Sequence, residues 1–173
     1  MKRFSAAFFL ALICATPAVA SDLPTRKAGL WQLSTTTSDG HTVTMKQCVD
    51  PQTDQIMQSR FGGVTGRNCS KHDVQKSGNT ITIDSVCTIA GRTTQNHAVI
   101  SGSFESHYMM TITTQIRGLP APQTVKTVVN WLGPCAAGQK PGDVIMPNGM
   151  TMNILELQKG LSGVRRALTA PHQ

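Results

Sequence analysis

Apolar and polar residues alternate with a period of two along most of this chain, the signature of strands with one dry and one wet face. Residues 30–37 place Trp31, Leu33 and Thr35 on one side, and Ser38-Asp39-Gly40 forms a turn into a second strand. There Val43, Met45, Gln47 and Val49 alternate with Thr42, Thr44, Lys46 and Cys48. Asp50-Pro51 reads as an N-cap followed by a proline at the first helical position, which predicts a short helix to about Phe61, ended by Gly62-Gly63. A further extended piece begins at Cys69. In 79–89, Ile81, Ile83, Cys87 and Ile89 share a face, so Cys87 is expected to point inward. A weaker strand spans 92–100, bounded by Ala90-Gly91 and Ser101-Gly102-Ser103. The strongest alternation covers 104–117, where Phe104, Tyr108, Met110, Ile112 and Ile116 oppose His107, Thr111, Thr113 and Gln115. The same scheme recurs in 124–131 with Val125, Thr127, Val129 and Trp131.

About seven strands, short turns and one short helix predict a mainly β (α+β) fold. Its expected form is an antiparallel meander that curls into a barrel or half-barrel. A curled sheet needs its apolar face covered, and 150–160 is the expected cover if the barrel stays open.

Residues 1–20 carry Lys2 and Arg3, an apolar run over 8–15 and Ala18-Val19-Ala20, the arrangement of a cleavable signal peptide. The apolar run is too short to span a bilayer and Pro17 interrupts it, so no transmembrane segment is expected in the mature chain. Lipidation at Cys14 would require a small residue before it, and Ile13 stands there. The expected organisation is a signal peptide (1–20), a single domain (21–162) and a flexible basic tail (163–173). A periplasmic location follows. The full chain of 173 residues has a formal charge of +7. Without Lys2 and Arg3, 14 basic residues against 9 acidic ones leave +5. Arg26, Lys46, Arg60, Arg67, Lys76, Arg92 and Lys126 scatter that charge, which argues for solubility and mild attraction to anionic surfaces rather than for nucleic acid.

Four cysteines remain in the mature chain, Cys48, Cys69, Cys87 and Cys135, and an oxidising compartment would pair them into two disulfides. Their spacings of 21, 18 and 48 residues contain no C-x-x-C pair, so zinc is not indicated. Three connectivities exist. The strand reading favours Cys48 with Cys69, clasping the helix, and Cys87 with Cys135, tying a central strand to the exit of the sheet.

Several of these residues together resemble a known family. Gly29-Leu30-Trp31, Cys48-Val49-Asp50-Pro51, Cys69, Cys87, Trp131-Leu132-Gly133-Pro134-Cys135 and 142–147 (Gly-Asp-Val-Ile-Met-Pro) are similar to the DUF3617 family of exported proteobacterial proteins. The resemblance covers about 23–158. It implies location and a mostly β fold, and it brings no catalytic residues.

Chemistry is sparse. The acidic residues Asp50, Asp54, Asp84, Glu105, Asp143 and Glu156 fall at expected caps, turns or exposed strand faces, with Asp50 a helix cap. His41, His72, His97 and His107 are dispersed, and His107 shares a strand face with Glu105. No nucleophile elbow, phosphate loop or dinucleotide fingerprint occurs. Catalytic residues, cofactors and metal ligands are therefore assigned to none. Met146, Met150 and Met152 surround Pro147-Asn148-Gly149, a soft thioether group that raises Cu(I) as one alternative. The favoured function is a non-catalytic envelope module that binds an apolar or amphiphilic molecule or a partner protein. Its expected pocket is lined by Trp31, Tyr108, Met110, Trp131, Met150 and Met152. A periplasmic hydrolase acting on envelope material is the other alternative.

Overall fold

A computed structural model describes residues 23–61 and 69–160. The proposed signal peptide, Gly62-Gly63 and the basic tail lie outside the described residues. The expected seven strands are present as β1 (Gly29–Thr36), β2 (Thr42–Val49), β3 (Cys69–Ser77), β4 (Thr80–Ile89), β5 (Arg92–Ser103), β6 (His107–Ile116) and β7 (Gln123–Gly133). Two short strands follow, β8 (Asp143–Ile145) and β9 (Thr151–Asn153), and a helical segment occupies 154–160. All pairings are antiparallel in one open sheet of order β3-β4-β5-β6-β7-β1-β2-β8-β9. The barrel does not close. Two expected details change: Ser101-Gly102-Ser103 continues β5 instead of ending it, and Phe104 and Glu105 belong to the β5–β6 turn.

The helix α1 (Pro51–Phe61) starts where the Asp50-Pro51 pair places it. Thr53 N donates to Asp50 Oδ1 (2.8 Å), and Asp50 N donates in return to Thr53 Oγ1 (3.0 Å), a reciprocal cap that satisfies two otherwise orphaned donors. These bonds hold the Asp50 carboxyl below its ordinary pKa, the Thr53 backbone N–H being the main cause.

One face of the sheet carries the core: Trp31, Val49, Ile81, Ile83, Ala98, Ile100, Tyr108 and Val129, joined by Met57 from α1 and Ile154 beyond β9. The other face is polar over most of its area. Of the expected cover 150–160, Ile154 and Leu155 in the helical segment pack against the core. Thr151–Asn153 also lengthens the sheet as β9. The sheet does bend, because Ile100 of β5 and Gln47 of β2 line a single cleft. Four strand steps separate them, roughly 19 Å in a flat sheet.

The disulfides are Cys48–Cys135 and Cys69–Cys87, which corrects the expected connectivity. The reason lies in the strand order. Cys69 and Cys87 are direct cross-strand partners in the β3–β4 hairpin. β7 returns to pair with β1 rather than with β4, and Leu30 of β1 pairs with both Cys48 and Gly133. The chain leaving β7 therefore crosses the end of β1 toward Cys48, where Gly142 N donates to Cys48 O (2.8 Å). Cys87 points inward as its alternation requires and is 6% exposed.

Candidate functional site

The N-terminal segment 23–28 enters along the core face, where Lys27 N donates to Phe104 O (2.8 Å). This brings Arg26 beneath α1. There its Nε donates to Asp54 Oδ1 (2.6 Å), its backbone N to Asp54 Oδ2 (2.7 Å), and its Nη2 to Gln47 Oε1 (2.9 Å). Gln58 Nε2 also donates to Asp54 Oδ2 (2.8 Å). Arg26 is 5% exposed and Asp54 fully buried, so this is an ion pair removed from water with its lone pairs satisfied by further hydrogen bonds. The sequence alone places both among ordinary surface or turn charges. The structure corrects that reading, because 28 residues of chain separate partners that only the fold brings together. One local signal was present in α1, where the buried Asp54 and Met57 stand three apart on one helix face.

Above this pair lies a cleft of about 110 Å³, lined by Leu33, Met57, Ile100, Phe104 and Met110 with Arg26, Gln47 and Tyr108 as its polar part. Its walls are mostly apolar. Tyr108 is fixed by stacking on Phe104 (ring centroids 4.5 Å apart, 12° between planes) and by a tilted contact with Trp31 at 6.0 Å. Gly102 makes this possible. It pairs with Tyr108 at a φ of +123°, and a Cβ there would come within 2.7 Å of Tyr108 Cα.

Burial raises the Tyr108 hydroxyl above its ordinary pKa of 10.0, and the negative charge of Asp54 adds to this while Arg26 pulls part of the way back. In the unfolded chain the phenol ionises near 10, but in the folded state it stays neutral to higher pH. Its contribution to stability is therefore whole below pH ~10 and is lost as pH rises through the folded value. Denaturant midpoints measured from neutral to strongly alkaline pH should fall less steeply for Tyr108→Phe than for the wild type. Tyr108 is the only tyrosine in the chain, so tyrosinate absorbance reports the same group directly.

Of the expected pocket residues, Tyr108 and Met110 line the cleft and Trp31 is fully buried beside it, with the Arg26 guanidinium 5.8 Å from its ring. The other three stand elsewhere. Trp131 pairs across the sheet with Trp31, donates its Nε1 to Ala28 O (3.2 Å) and receives Lys27 Nζ 3.8 Å over its ring. Met150 and Met152 belong to the β8–β9 hairpin. Leu33, Phe104, Gln47 and Met57 were absent from the expected set.

The polar face holds a second, wider depression of about 260 Å³ that includes Lys71, Asp84, Gln95, His97 and Thr113. His97 Nδ1 lies 2.8 Å from Asp84 Oδ1, and both side chains are about half exposed. His107 bonds Asn130 Oδ1 (2.6 Å) across the β6–β7 pair rather than engaging Glu105. Among the described residues no cluster of three or more His, Cys, Asp or Glu side chains is arranged to hold a metal, and no helix is long and apolar enough to cross a membrane.

No curated protein and no solved structure matches the chain. The family model described as "Protein of unknown function (DUF3617)" matches residues 26–135, well over half of the chain. That span runs from the buried Arg26 to the last disulfide cysteine, and the chain belongs to this family.

Proposed function

We propose that this protein is an exported, non-catalytic envelope module that seats the apolar end of an amphiphilic molecule in the cleft between α1 and the sheet. The observation that carries the reading is the cleft's composition, with Leu33, Met57, Ile100, Phe104 and Met110 around a polar floor of Arg26, Gln47 and Tyr108. A few convergent polar groups within apolar walls are the usual pattern of small-molecule sites. The volume limits the occupant. About 110 Å³ is less than the ~150 Å³ cavity that takes benzene, so only a short hydrocarbon end fits inside. The rest of the ligand would lie along Met45, Ile112 and Val125, which stay half-buried on the same face. Two disulfides and the leader-like residues 1–20 support the periplasm as the compartment.

A titration with cis-parinaric acid, whose fluorescence rises in apolar surroundings, tests this. We expect saturable binding by the wild type. Filling the cleft with Met110→Trp should weaken it at least about tenfold, whereas Met109→Trp, at the neighbouring position on the opposite face, should not. Absence of saturable binding, or equal losses in both variants, would remove the proposal.

A further inference from the structure

The β8–β9 hairpin gathers methionines in a way the linear order only partly discloses. Val144 pairs with Met152 and Ile145 with Thr151. One step further Met146 N donates to Met150 O (2.8 Å), so Met146 opposes Met150 around the Pro147-Asn148-Gly149 turn. Because side chains alternate along a strand, Val144, Met146, Met150 and Met152 all project to one side. That side is the core face. Val144 pairs with Gln47, whose side chain meets Arg26 in the cleft. The β2–β8 ladder ends at the pair Lys46–Ile145, and one further step along the two chains brings Met45 of β2 and Met146 to the same end and the same face of the sheet, which adds a fourth thioether.

From this placement we propose that Met45, Met146, Met150 and Met152 form a binding site for a soft monovalent metal ion, Cu(I). Directly opposed residues have Cβ atoms ~5 Å apart and diagonal neighbours ~7–8 Å apart. The three-torsion methionine side chain can bring sulfurs from such positions to one point. Neutral thioethers suit Cu(I), a soft ion of single charge, and offer little to hard divalent cations. Met45, Met146 and Met152 are half-buried, whereas Met150 is 54% exposed, so the group is held in place yet open to an incoming ion. The four mature-chain cysteines are tied up in disulfides and leave no thiolate to compete.

The test is an anaerobic Cu(I) titration of the protein with both disulfides intact, against a chromogenic Cu(I) chelator. The expected result is withdrawal of one Cu(I) per chain. Met146→Leu combined with Met150→Leu should weaken this by about 100-fold or more, while Met109→Leu, on the opposite face, leaves it unchanged. Leucine keeps the patch apolar and nearly conserves volume, so folding and cis-parinaric acid binding should survive in the double variant. The two proposals can therefore fail separately. Parallel Ag(I) titration should shift the methyl resonances of these four methionines and leave the other methionine methyls in place. No competition with the chelator, or equal Cu(I) affinity in the hairpin double variant, would overturn the site.

Discussion

Asp54→Ala should destabilise the protein by about 3–5 kcal/mol, because it strands a buried guanidinium without its counter-charge. Asp54 accepts from Arg26 Nε, from Arg26 N and from Gln58 Nε2, and the two Arg26 donors belong to a residue only 5% exposed. For a domain of this size the loss corresponds to a Tm lower by about 10–15 °C. Replacing both partners, as in Arg26→Met with Asp54→Leu, should recover much of that loss, since removing a whole ion pair spares the cost of an unpaired charge. Thermal unfolding of the two single variants and the double variant closes the cycle. Additive losses would mean that the pair is not coupled, and the floor of the cleft would then be misassigned.

The second large effect belongs to the Cys48–Cys135 disulfide. It spans 87 residues, against 18 for Cys69–Cys87. In the chain-entropy picture, removing the first costs about 4.5 kcal/mol and removing the second about 3 kcal/mol. The long bridge also holds the crossing from β7 over β1 to β2, on which β8 and β9 depend through Gly142 and the Gln47–Val144 pairing. Paired Cys→Ala variants, compared by chemical denaturation, should rank in that order. Reversal of the order would show that the short hairpin bridge, rather than the long crossing, restrains the unfolded chain.

What was legible in the sequence was local. Strict alternation at Ile81, Ile83 and Cys87, and at Tyr108, Met110 and Ile112, reports burial one strand at a time, and those strands stand where the pattern puts them. Asp50-Pro51 marked the helix start because capping acts within three residues. The disulfide pairing was not legible, since it depends on β7 choosing β1 as its neighbour, a contact about 100 residues apart along the chain. β8 and β9, at three residues each, are too short to show a period at all. The cleft shared this fate. Tyr108 and Met110 were visible as apolar positions of one strand, whereas Arg26 joins them only after α1 folds back over β2. Trp131 faces the expected side of β7 but meets Lys27 and Ala28, because the N-terminal segment runs past it.

The central claim is that the cleft above Arg26 and Asp54 takes the end of an amphiphile. Native mass spectrometry of the protein purified from its own cell envelope tests it most directly. The account predicts a protein with a bound adduct of amphiphile mass, depleted in Met110→Trp and retained in Met109→Trp. An adduct-free monomer from the same envelope, or an adduct indifferent to Met110→Trp, would contradict it.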